Sequence, residues 1–102
     1  MIYRITERAT WDAAQEAGRF ASADLAAEGF IHCCTVQQLS GVAERYYQGQ
    51  RDLMVLEIDE TRLTVPVRWE DLRQAGELFP HVYGPIPLAA VRRCRALRPE
   101  AD

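Results

Sequence analysis

Apolar and polar residues fall in short blocks along this chain, and the period of each block predicts an element. Ile2 to Thr6 is β-prone from the first residues. Thr10 is a good N-cap for a helix over Trp11 to Ala17, and Gly18 stops it. Asp24 to Glu28 reads as a short helical turn ended by Gly29, and Phe30 to Cys34 as a brief strand. Thr35 caps a helix from Val36 to Gln48, closed by Gly49. On it Leu39, Val42, Ala43 and Tyr46 recur at i, i+3, i+4, i+7, an amphipathic stripe. Leu53-Met54-Val55-Leu56 is continuous and apolar, which predicts a central strand over Asp52 to Asp59. Thr64 to Trp69 is a further strand, placed at an edge by Pro66. Phe79 to Tyr83 is strand-like, Pro87 to Ala90 a turn or single helical turn, and Val91 to Leu97 a last strand with an Arg-rich, solvated face. Trp69 reads as a core aromatic and Glu70 as a surface carboxylate. Residues 98 to 102 read as a frayed tail. Helices early and strands late predict an α+β fold: one domain over residues 1–102, a mixed and bent sheet, and two to three helices.

Composition narrows the chemistry. The chain has 102 residues, is 48% hydrophobic and 26% charged, and carries a net charge of −3. That balance is ordinary for a soluble domain, and a near-neutral chain argues against nucleic-acid binding through bulk charge. All 12 basic residues are Arg. Without Lys, Schiff-base and P-loop chemistry are excluded. Three cysteines, Cys33, Cys34 and Cys94, make no disulfide framework and no zinc spacing. No signal-peptide pattern or membrane-length apolar run is present, which predicts a cytoplasmic protein with reduced thiols and no membrane partner.

Both histidines lie in one kind of pattern. Phe30, His32 and Cys34 share a strand face, as do Phe79, His81 and Tyr83. A histidine centred on an apolar face needs a partner for each ring nitrogen. Were the two strands neighbours, their faces would form a cleft holding two imidazoles, a thiol and a phenol. His32 and His81 are then the candidate catalytic acid–base groups. The plainer reading is two structural histidines bonded to backbone. Cys34 beside His32 admits a thiolate–imidazole dyad or, more simply, a small buried residue. A metal held by His32, His81 and Cys34 is the alternative chemistry, but no acidic residue is fixed by spacing to complete it, so no metal is expected. Arg4 shares its face with Ile2 and Thr6 and has the planar fork that grips phosphate or carboxylate. Arg45 stands three residues beyond Val42, near the apolar side of its helix, and points back toward the strand end or snorkels. Arg4, Thr6, Cys34, Arg45 and Tyr83 thus form the candidate ligand-binding set.

These motifs resemble a small family of bacterial and plant domains known as domain of unknown function 952. The residues that carry the likeness are Ile2-Tyr3-Arg4-Ile5, Trp11, Glu28 to Cys33, Gln38, Val42-Ala43, Arg45, Gly49, Asp52-Leu53, Trp69-Glu70 and Phe79 to Pro85. The chain departs from the family at Arg4, often His there, and at Cys34, commonly Ser, which weighs against an essential thiol. The resemblance implies an ADP-ribosyltransferase-like fold, a split and bent α+β sheet around a nicotinamide-dinucleotide cleft. It is also similar locally to RNA 2′-phosphotransferases, in which a His strand runs into a helix with Ala and Arg, here His32, Ala43 and Arg45. No residue matches that superfamily's catalytic Glu by motif. The functional expectation is a cleft for a nucleotide-like small molecule (NAD, ADP-ribose or a phosphate), in a transferase or a degenerate one. The alternatives are a non-catalytic small-molecule or metal-binding module, and an interaction domain with buried histidines.

Overall fold

The apolar run expected at the centre of the sheet lies there. In the computed structural model, which describes residues 1–98 and 102, β4 (Leu53–Ile58) is flanked by β1 (Ile2–Glu7) and β8 (Val91–Ala96). Leu53 to Leu56 and Ile58 are all buried, because β4 has a partner on each edge and cover on each face. Full burial of such side chains contributes roughly 1.5–3 kcal/mol each. A second three-stranded sheet has the order β3 (Ile31–His32), β6 (Phe79–Val82), β5 (Val67–Glu70). A two-residue pair, β2 (Arg19–Phe20) with β7 (Ile86–Pro87), completes the strands among the described residues; the sequence pattern predicts neither. The backbones of Tyr3 and Cys34 exchange two hydrogen bonds of 2.8 Å and stitch the first sheet to the second.

The α+β expectation holds, but every strand pair is antiparallel, which corrects the mixed sheet. The helices explain why. α1 (Arg8–Ala17), α2 (Ala23–Glu28) and α3 (Leu39–Tyr46) are short, and fully bury only Ala14 and Leu39. They are too small to cover the faces that a parallel sheet must hide.

Several boundaries move. α1 begins at Arg8 with Glu7 as its cap, so Thr10 lies inside it; β1 runs straight into the helix and leaves no turn for Thr10 to cap. Thr35 caps as expected, with a full capping box to Gln38, but on a 3₁₀ turn (Val36–Gln38) that precedes α3. α3 ends at Tyr46, whose ring is 45% exposed, and Tyr47 takes the inward place beside Ile5 and Cys34. Trp69 is 43% exposed rather than core, because β5 is an edge strand and Trp69 lies at the margin of the face on which Val67 reaches the core. On β8, Arg92 and Arg93 are solvated, while Arg95 is drawn to Glu57 and Asp102. Most of the expected tail, residues 99–101, lies outside the described residues.

The core has two clusters, and the adjacent cysteines divide between them. Cys33 packs with Ile2, Phe20, Leu56 and Val82, and Cys34 with Ile5, Leu39 and Val55. That is the period of two expected of a strand. No helix among the described residues is long and apolar enough to cross a membrane.

Candidate functional site

α2 ends at Gly29, whose φ of 90° turns the chain sharply into Phe30 and β3. A side chain is strained at that angle, and glycine is not. β3 then pairs with β6 so that His32 lies directly opposite His81. The two rings meet edge to face, with centroids 5.3 Å apart. Phe30 is the floor beneath them, stacked on His81 at 4.2 Å and tilted against His32 at 4.7 Å and Tyr83 at 5.2 Å. The condition left open by the two motifs, that their strands be neighbours, is therefore met.

Each imidazole is tied to a carboxylate through a different nitrogen. His81 Nδ1 donates to Glu70 Oε1 at 2.9 Å, and His32 Nε2 donates to Glu28 Oε2 at 2.8 Å. An ionised carboxylate only accepts, so these bonds fix complementary tautomers. Neutral His81 keeps Nε2 as its open acceptor, and neutral His32 keeps Nδ1. His81 is nearly buried, with its side chain 5% exposed, whereas that of His32 is 47% exposed. Tyr83 Oη also donates to Glu70 Oε1, at 2.6 Å. The Tyr83 hydroxyl and His81 together hold the Glu70 carboxyl below the usual carboxylate range, and the bond to Glu70 pushes the Tyr83 phenol up.

Arg4 does not stand free, as the anion-grip expectation required. Its Nη1 donates to Asp24 Oδ2 at 2.6 Å and to the His32 carbonyl at 2.9 Å. Asp24 also accepts from the His32 backbone N–H at 2.9 Å and from the Ser22 hydroxyl. Arg4 and Asp24 thus clamp the His32 backbone from both sides. Burial works against the Asp24 charge, but Arg4 and the two donors outweigh it and hold the carboxyl below its usual range. Burial likewise opposes the Arg4 charge, and Tyr47 and Asp24 outweigh it and raise the pKa. Arg4 Nε is left buried without a partner.

These groups open into a concavity of about 1020 Å³ lined by Arg4, His32, Cys34, Arg45 and His81 among others. That is at the upper end of ordinary small-molecule sites. Two expected members fall outside it. Thr6 is 3% exposed and sits opposite Met54, because only residues 3 to 5 of β1 reach the concavity. Tyr83 acts from behind, through Glu70 and Phe30. Cys34 does line it, yet burial pushes its thiol up to about 12, which leaves no thiolate for a dyad with His32. Among the described residues no group of three or more His, Cys, Asp or Glu is placed to hold a metal ion.

Sequence reasoning missed Asp24, and it did not assign Glu28 or Glu70 to the histidines. Glu70 is not the surface carboxylate that the sequence predicts, because β5 pairs with β6 and turns it toward His81. Its alternation with Arg68, whose guanidinium lies over the Tyr83 ring at 4.7 Å, was the available signal.

The description "Protein of unknown function (DUF952)" belongs to the family model that matches residues 5–94. The chain is similar to the crystal structure of protein CC0527 from Caulobacter crescentus, at 38% identity and a TM-score of 0.86, over 95% of this chain and 85% of that one. The solution NMR structure of CC0527 is similar at 38% identity and a TM-score of 0.79, over 94% and 83% of the respective chains. No curated protein matches the chain.

Proposed function

The chain belongs to the DUF952 family of proteins of unknown function, and from that premise we propose that the concavity binds a small nucleotide-like ligand and presents it to an acid–base pair, His81 and His32. The observation that carries this reading is the register of β3 and β6, which sets the two imidazoles face to edge, each oriented by its own carboxylate. A carboxylate behind one ring nitrogen stabilises the imidazolium and leaves the other nitrogen to take or give a proton. Arg4 is a positioning residue in this reading. It holds the His32 backbone, and its unpartnered Nε is a donor that a ligand oxygen would satisfy. NAD and ADP-ribose enter as candidate ligands through the family resemblance alone.

A specific observation favours a second reading, in which the histidines are structural: His81 is nearly buried and bonded. His32 separates the two, because half its ring is exposed and its loss leaves the core intact. In the ligand reading, His32→Ala keeps the melting temperature within a few degrees of wild type and abolishes the chemical-shift changes that nucleoside monophosphates cause in the His81 ring. In the structural reading, no nucleotide shifts either imidazole at millimolar concentration. Incubation with NAD followed by product analysis distinguishes a transferase from a binder, since released nicotinamide marks turnover.

A further inference from the structure

The charges lining the concavity are unevenly spent. Arg4 is paired with Asp24, His32 with Glu28 and His81 with Glu70. At the rim, the Asp71 carboxylate accepts from the backbone N–H groups of Ala75 and Gly76, at 2.9 and 2.7 Å. Glu77 accepts from Gln38 Nε2 at 3.2 Å. Two guanidinia remain. Arg45, on α3, and Arg73, on the loop between β5 and β6, both line the concavity and both are exposed. Neither has a carboxylate within ion-pair distance among the described residues. They converge on one ring, with Arg73 Cζ 4.6 Å and Arg45 Cζ 5.9 Å from the centroid of Tyr46. The loop that carries Arg73 is held in place by the Asp71 bonds and by Gln38 Nε2 donating to the Leu78 carbonyl at 2.9 Å. Arg73 is thus presented rather than trailing in solvent.

We propose that Arg45 and Arg73 form the phosphate-recognition element of this site, and that its ligand carries a single terminal phosphate ester. The proposal rests on the ligand-binding reading above and deepens it. A phosphate at the rim meets two fork-shaped donors, and the two carboxylates there, Asp71 and Glu77, already accept from neutral amides. Around the histidines the balance is more negative: Asp24, Glu28 and Glu70 line the concavity against Arg4 alone, whereas at the rim two guanidinia match two carboxylates. A second phosphate carried there meets three carboxylates of like charge and is disfavoured. The uncharged, hydroxyl-bearing part of the ligand suits the floor, where Nδ1 of His32 and Nε2 of His81 are open acceptors. That describes a nucleoside monophosphate or sugar phosphate and disfavours a pyrophosphate-bridged dinucleotide.

Calorimetric titration of the full chain at pH 7.5 and low salt, with AMP, adenosine and NAD, tests this. The expected result is AMP binding at least ten-fold tighter than adenosine or NAD, with AMP reduced to the adenosine level in R45Q/R73Q. Both side chains are exposed, so the double variant should melt at the wild-type temperature. AMP affinity unchanged in the double variant overturns the rim assignment and leaves the binding site standing. Adenosine or NAD binding as tightly as AMP overturns the single-phosphate specificity. No binding of any of the three at millimolar concentration overturns the ligand-binding reading and the rim assignment with it.

Discussion

Asp24 is where a small change tests the most structure. Its carboxylate takes Arg4 Nη1, the His32 backbone N–H and the Ser22 hydroxyl. Replacing it with Ala leaves the Arg4 charge without its partner and the His32 amide without its acceptor. Both side chains of the ion pair are 13% exposed. Breaking a buried pair costs about 3–5 kcal/mol, and the low end, ~3 kcal/mol, fits here because Arg4 borders an open concavity that lets water reach it. For a chain of this size, ~3 kcal/mol corresponds to a drop of more than ~10 °C in melting temperature. Asp24→Asn keeps one acceptor oxygen and should lose less. The pH dependence is the sharper test. Asp24 has a lowered pKa in the folded state, so its contribution is complete above the unfolded value near pH 4. It fades as pH falls from there through the depressed folded value. Asn does not titrate, so the stability gap between wild type and Asp24→Asn should be constant from pH 5 to 7 and close progressively below about pH 4. Urea unfolding followed by circular dichroism across pH 2–7 measures this. A gap that persists undiminished to pH 2, or a cost for Asp24→Ala under about 1 kcal/mol, would show that the Arg4–Asp24 clamp does not hold β3.

Two further outcomes follow from the packing. At Gly84 an added Cβ would sit 2.5 Å from Val65 Cγ1, so Gly84→Ala should destabilise by about 1–3 kcal/mol, and Val65→Ala in the same chain should recover part of the loss in a thermal melt. Cys33 and Cys34 are 5% and 2% exposed, and burial pushes both thiols up; iodoacetamide at pH 8 should therefore label only the half-buried Cys94 in the native protein, and all three after unfolding, as read by mass spectrometry.

The elements were legible where the pattern was local and strong. The apolar run of β4, the Pro66-marked edge position of β5 and the Thr35 cap all follow from short-range chemistry that neighbouring residues do not override. Errors gathered at junctions. Thr10 has the right chemistry for a cap, yet the chain passes from β1 to α1 without a turn and leaves that position within the helix. The two-residue strand β2 carries too little pattern to register at all.

For the candidate site, the sequence by itself singled out the two histidines and the face each one occupies. Both histidines sit in aromatic-x-His strands, and period two fixes what shares each face. It also divided Cys33 from Cys34. What it did not determine is whom each group meets. Glu70 is separated from His81 by 11 positions and from Tyr83 by 13, Asp24 from Arg4 by 20, and Arg73 reaches Tyr46 from another element. Those partners are chosen by strand register and loop path, through space, and no local propensity encodes them. The tertiary structure therefore placed Arg4 on the His32 backbone, buried Thr6 outside the concavity, pushed the Cys34 thiol up by burial, and brought Glu28 and Glu70 behind the imidazoles. A side chain's identity sets what it is able to do; its burial and its nearest opposite charge decide which of those things it does.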